Sequence, residues 1–321
     1  MKPGHGLLCT VAPACGLLRK AARVGRRLRT AALGLALAAA AATAPAAVLP
    51  YCEPPPERDA AQHDTLLRLT ALVRQELQSS GAGAALIARS GLDLQRFGAR
   101  YSHAGISLAA GPVAPWSVRQ LFFDCEERRS RLFDQGLAGF LLGQHAPGAG
   151  YVSLVLLPER AAAPLAAAAL DDGLAMALLG ARYSANAYPW STRYQNCNQW
   201  VAELMAAAWG GLRGPGPLRE RAQEWLRAAA YRPSPMALRP RALLFAAPFV
   251  PWVQVDDHPE EALRAGVFEV SMPAALEDLA RALEPQARRI ELCHTAGRIV
   301  LRRGWTPLPE GCVPEAGDEV F

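Results

Sequence analysis

A chain of 321 residues that is 51% hydrophobic and 20% charged can bury a sizeable core, which excludes wholesale disorder. Its formal charge of +5 is unevenly placed: residues 1–46 hold seven cations and no acid, leaving 27 basic against 29 acidic residues elsewhere. A body so near neutrality has no electrostatic footprint for nucleic acid, and no such partner is expected.

The first segment reads as a targeting signal. A basic stretch, Arg19 to Arg29, precedes an apolar run from Ala31 to Ala42, and small residues follow at Ala44-Pro45-Ala46-Ala47. That is the order of a secretory signal, and the run is too short to span a bilayer comfortably. Residues 1–46 are therefore expected to be removed on export from a bacterial cytoplasm. The alternative is an uncleaved anchor, the one route by which the chain would touch a membrane. Arg26-Arg27 fits a twin-arginine signal or an ordinary basic region. Cys9 and Cys15 leave with the signal. Cys52, Cys125, Cys197, Cys293 and Cys312 stay, an odd number for an oxidising compartment. Cys293 with Cys312 is a natural pair and Cys52 with Cys125 the second, although spacing does not fix connectivity.

After a Pro-rich entry (Pro50 to Pro56), residues 60–79 carry apolar positions at helical spacing: Leu66, Leu69, Val73, Leu77. Strands are predicted at 84–89, at His103 to Leu108 and at Trp116 to Phe123, then a helix at Phe133 to Leu142 and a strand at Tyr151 to Leu157. A helix over 163–180 and an aromatic, polar loop at 182–196 lead to a helix at 198–209, stopped by Gly210-Gly211. Residues 212–217 read as a linker. A helix at 218–229, a Pro-rich stretch from Tyr231 to Pro240 and an apolar run from Ala242 to Val250 follow. Ser271 and Pro273 open another helix, and 289–295 with 298–304 form a hairpin. The tail, 218–321, is a small α+β extension or part of the same domain.

Chemistry concentrates in two segments. In Gln195-Asn196-Cys197-Asn198 a polar loop delivers a cysteine to the first turn of an amphipathic helix. Unpaired N–H groups there favour a thiolate and can hold an oxyanion, with Asn196 or Asn198 as a further donor. A structural thiol is the competing reading. In Ser102-His103-Ala104-Gly105 a histidine starts a strand, where a general base would be held in a fixed direction. His63, His145 and His258 sit in surroundings that suit the surface, and His294 sits on the hairpin. Gln120 is the first choice to orient His103 and Asp124 the second. Asp256-Asp257-His258 reads as a solvated turn and Asp171-Asp172 as an exposed helix face. Tyr183, Tyr188, Trp190 and Tyr194 line the approach to Cys197, as packing or as a groove. No metal or cofactor motif is present, and none is expected.

The order Ser-His-Ala-Gly-Ile, then a strand, then Asn-Cys at a helix start resembles the circularly permuted branch of the NlpC/P60 papain-like superfamily, which includes lecithin retinol acyltransferase-like proteins. The chain is more closely similar to bacterial domain-of-unknown-function family 2145, through "RSGLDLQRFGARYSHAGI", "APWSVRQL", "RLFDQGLAGF", "YSANAYPWSTRYQNCNQWVAEL" and "VSMPA", across about residues 52–315. The resemblance implies an α+β fold, an antiparallel sheet packed against helices, with a papain-like core over 47–212. It also implies thiol attack by Cys197 on an acyl carbon, with His103 as base and Gln120 or Asp124 behind it. The expected substrate is a cell-wall peptide amide or a lipid ester, in the periplasm or outside the cell. A catalytically inactive binding or structural protein of the envelope is the other expectation.

Overall fold

The computed structural model describes residue 52 and residues 57–143, 149–240, 244–245, 247 and 249–321. The expected signal segment, Cys9, Cys15 and His145 lie outside the described residues, as does part of the 242–250 run. Helix α1 (Ala60–Ser79) opens with a capping box in which Asp59 and Gln62 exchange side-chain-to-backbone bonds of 2.8 and 3.0 Å. Strands β1 (Ala84–Arg89), β2 (His103–Leu108), β3 (Ser117–Asp124) and β4 (Arg129–Gln135) follow, then α2 (Leu137–Leu142) and β5 (Gly150–Leu156). Next come α3 (Glu159–Leu170), α4 (Asp172–Ala177), α5 (Cys197–Trp209), α6 (Leu218–Ala228) and β6 (Ser234–Ala237). The chain closes with α7 (Glu260–Ala265), β7 (Val267–Val270), α8 (Pro273–Leu283), β8 (Arg288–Thr295), β9 (Arg298–Arg303) and β10 (Glu319–Val320).

Eight strands form one antiparallel sheet in the order β10-β9-β8-β5-β1-β2-β3-β4, so the fold is α+β. Both faces are covered. Ala84, Leu86 and Ala88 of β1 pack with Ala104 and Ile106 against Trp200, Val201 and Leu204 of α5. The alternate residues Ala85 and Ile87 pack with Val152 and Leu154 against Leu66, Leu69 and Val73 of α1. Burial on both faces explains why β1 reads as an unbroken apolar run rather than an alternating one. β8 pairs with β5 from Gly150↔His294 to Leu156↔Arg288, so the tail beyond residue 287 extends the same sheet. β6 and β7 make a separate ribbon, whose Phe268 and Val270 cluster with Met272 and with Leu94.

Three elements differ from expectation. Residues 129–135 are an edge strand and only 137–142 a helix. Phe133, Leu137, Phe140 and Leu141 have helical spacing, but Gly136, at φ −55° and ψ 145°, breaks the chain between strand and helix. The helix predicted over 163–180 is two: α3 ends at Leu170, and the Asp171 carboxylate caps α4 by accepting from the Leu174 N–H at 3.0 Å. Asp172 is exposed yet pairs with Arg119 at 2.7 Å. The Pro-rich stretch holds β6, paired with β7 from Ser234↔Val270 to Ala237↔Val267. Two disulfides are present, Cys52–Cys125 and Cys293–Cys312, and Cys197 is a free buried thiol. Among the described residues no helix is long and apolar enough to cross a membrane.

Candidate functional site

His103 is the first residue of β2, paired with Arg89, while Gly105 pairs with Ile87. Strand alternation sends Ala104 and Ile106 to the α5 layer and His103 to the other, where its ring lies 5.8 Å from Phe140 of α2. A Cβ on Gly105 would stand 2.5 Å from Val118 Cγ1 and 2.9 Å from the Arg119 carbonyl. Only glycine lets β3 come so close, and β3 carries Gln120. The Gln120 Oε1 meets His103 Nε2, and Gln120 Nε2 donates to Gln135 Oε1 at 2.8 Å. With its amide nitrogen committed to Gln135, Gln120 presents an acceptor to the imidazole. The ring proton therefore sits on Nε2, and Nδ1 keeps the lone pair a base requires. Burial, reinforced by the Arg89 guanidinium and opposed by Gln120, lowers the His103 pKa to about 3. By exposed area the residue is half-buried, which moderates the shift.

Cys197 begins α5. Asn196 caps the helix: its Oδ1 accepts from the Gln199 N–H at 2.7 Å, and its Nδ2 donates to the carbonyls of Ala185 (3.1 Å) and Ser271 (3.3 Å). Asn196 is thus spent on structure rather than offered to an oxyanion. Asn198 Nδ2 donates to the Ser102 carbonyl at 3.3 Å, which holds the first turn of α5 against the N-terminal end of β2. Burial pushes the thiol up to about 11, outweighing the backbone N–H groups of Asn198 and Cys197, the charge of Arg89 and the Tyr183 hydroxyl. At neutral pH the site holds a thiol and a neutral imidazole, not an ion pair. The two do not hydrogen-bond each other, and the way from sulfur to ring passes around the end of β2 at Ser102. Asp124 lies four residues beyond Gln120, at the far end of β3, where it accepts from the backbone of Glu126 and Glu127 at 3.0 Å.

Two parts of the site escaped the sequence. Arg89 Nη1 donates to the Gly143 carbonyl at 2.7 Å, and the guanidinium carbon lies 5.2 Å from the Phe140 ring centre. A Cβ on Gly91 or Gly143 would come within 2.9 or 2.8 Å of a guanidinium nitrogen, so both glycines clear its place. A lone arginine ending an apolar strand between glycines was the available signal. Beneath the cysteine loop, Glu203 is fully buried and accepts from Arg219 (2.8 Å), Gln195 (2.6 Å), Gln199 (3.2 Å) and Gln223 (2.9 Å). Arg219 also donates to the carbonyls of Thr192 (2.7 Å) and Tyr194 (3.1 Å), tying the loop to α6. An acid on the apolar stripe of a helix was the sign of this hub.

Asp257 and His258 are buried, not a solvated turn. Asp257 accepts from the Tyr188 N–H at 2.9 Å, and His258 Nε2 donates to the Asn186 carbonyl at 2.7 Å. Burial holds His258 below its usual pKa. Tyr183 stacks on Phe123 at 4.8 Å and Tyr194 is buried, so these aromatics pack. Among the described residues no group of three or more His, Cys, Asp or Glu side chains could hold a metal ion.

The protein is thus an α+β sheet protein that carries, among the described residues, two disulfides and one buried thiol at a helix start. The chain belongs to the family described as an uncharacterized protein conserved in bacteria, DUF2145, whose model matches residues 76–279. Comparison with curated proteins and with solved structures finds no match.

Proposed function

We propose that the protein is an exported cysteine-dependent acyl-transfer enzyme of papain-like, permuted NlpC/P60 type. The observation that carries this reading is the chain His103–Gln120–Gln135. It keeps Nδ1 unprotonated in the neutral imidazole, the state a general base needs. Cys197 Sγ loses its proton to His103 Nδ1 as it attacks the acyl carbon. The tetrahedral oxyanion forms at the N-terminus of α5, beside the backbone N–H groups of Cys197 and Asn198 that already face the sulfur. The leaving amine or alkoxide takes the proton back from Nδ1, and water then releases the acyl group. On this reading thiol and imidazole, which face different layers in the free protein, are brought together around the end of β2 when substrate is bound. Two disulfides fit an oxidising compartment, and a periplasmic protein has cell-wall peptide amides within reach, the favoured substrate over lipid esters.

The raised thiol pKa and the lack of a direct thiol–imidazole bond favour a second reading, an inactive binding or structural protein of the envelope. A screen of cell-wall peptides and lipid esters separates the two. Turnover that disappears in Cys197→Ser supports the enzyme. Binding without turnover, unchanged in Cys197→Ser, supports the second reading.

A further inference from the structure

Arg89 ends β1 and His103 begins β2, and both are half-buried. The two face each other across the strand pair, so their side chains stand on one face of the sheet. They share Phe140, whose ring centre lies 5.2 Å from the guanidinium carbon and 5.8 Å from the centre of the imidazole. The backbone joins the same arginine to the thiol helix. The Arg89 carbonyl accepts from the Ser102 N–H at 3.2 Å, and the Ser102 carbonyl accepts from Asn198, the residue after Cys197, at 3.3 Å. Arg89 Nη1 donates to the carbonyls of Gly143 (2.7 Å) and Ser90 (3.3 Å), neutral acceptors that fix the group without cancelling its charge. That charge is felt at both reacting groups, where it favours the thiolate and opposes an imidazolium.

We propose that Arg89 is the specificity residue of the site and selects substrates that carry a carboxylate beside the scissile acyl carbon. A cation directly across from a general base works against the protonated form through which that base must pass. A carboxylate seated on the guanidinium offsets this effect. The anionic substrate thus supplies its own anchorage and part of the activation of His103. A single guanidinium balances one negative charge, which favours a carboxylate over a doubly charged phosphate monoester. As a statement about substrate this rests on the acyl-transfer reading, but the preference for an anion is tested without turnover.

The test compares alkylation of Cys197 by iodoacetate and by iodoacetamide at about pH 9, where thiolate is plentiful. The two reagents differ in the carboxylate, and the proteins are wild type, Arg89→Gln and Arg89→Lys. Both reagents attack the same thiolate, so their rate ratio cancels any change in the thiol's ionisation. N-acetylcysteinamide supplies the ratio for a thiol in water. The proposal predicts a wild-type ratio about tenfold above that reference, the worth of one charge-assisted contact. The ratio should fall to the reference in Arg89→Gln and be largely kept in Arg89→Lys. Propionate, and not propionamide, should slow the wild-type reaction with iodoacetamide, a measurement that requires no variant to fold. A wild-type ratio equal to the reference, or a raised ratio that survives in Arg89→Gln, overturns the proposal. Acyl transfer is read separately with p-nitrophenyl acetate. A raised ratio without an acetyl adduct keeps the anion site and removes the enzyme reading, and an adduct without a raised ratio does the reverse.

Discussion

Gln120 donates to Gln135 at 2.8 Å, and that bond determines which end of the Gln120 amide meets His103. β3 and β4 are paired so that Gln120 lies opposite Phe133 and Val118 opposite Gln135, which puts the two glutamines diagonally on one face. An edge strand thereby sets the tautomer of a histidine two strands away. Gln120→Ala is expected to slow acylation of Cys197 by about 100-fold, the scale of a mispositioned reacting group. Gln135→Leu should slow it less. Ring-nitrogen NMR shifts of His103 report the tautomer, and a purely structural role would leave them unmoved.

The thiol is pushed up to about 11 by burial, so alkylation should be slow at neutrality. The iodoacetamide rate at Cys197 should climb about tenfold per pH unit from 7 to 10. A plateau already reached below pH 8 would mean a stabilised thiolate. In Arg89→Gln the thiol loses a favourable charge, and the profile should move to higher pH.

Acid should weaken the fold through buried neutral histidines. His103 is lowered to about 3 and His294 to about 4, both chiefly by burial, against about 6.5 for an unfolded histidine. Between these values the unfolded chain binds protons that the native state does not. Stability is therefore full above about pH 6.5 and falls as pH drops toward 4 and 3. The urea midpoint should decline between pH 7 and 4.5, and less steeply in His103→Gln.

Glu203 is the hub under the cysteine loop, and Arg219 depends on it. Glu203→Ala leaves a buried guanidinium without its carboxylate and should cost about 3–5 kcal/mol. Glu203→Leu combined with Arg219→Met should recover much of that loss. Urea unfolding of the single and double variants measures the difference.

Much of this arrangement is legible in the sequence because strong local signals agree with the tertiary structure. The polar loop delivers Cys197 to the start of a helix and Gln120 meets His103, whereas Asn196, expected as an oxyanion donor, caps the helix instead. The two cysteine pairs match the expected ones, although spacing alone did not fix them. The edge strand β4 was hidden because Arg129 and Arg131 face solvent while Phe133 continues a false helical stripe with Leu137 and Phe140. The burial of Asp257 and His258 was hidden because their partners, Tyr188 and Asn186, are about seventy residues away in the chain. The place of Arg89 is set by glycines 91 and 143, which acquire meaning only once the chain has folded.

The most direct test of the central claim is the rate at which p-nitrophenyl acetate acylates Cys197, followed by intact mass in wild type, Cys197→Ala and His103→Ala. The account predicts a single acetyl adduct that is absent in Cys197→Ala and forms about 10²–10⁴-fold more slowly in His103→Ala, the range of a lost general base. Equal rates in wild type and His103→Ala, or an adduct that persists in Cys197→Ala, would contradict it.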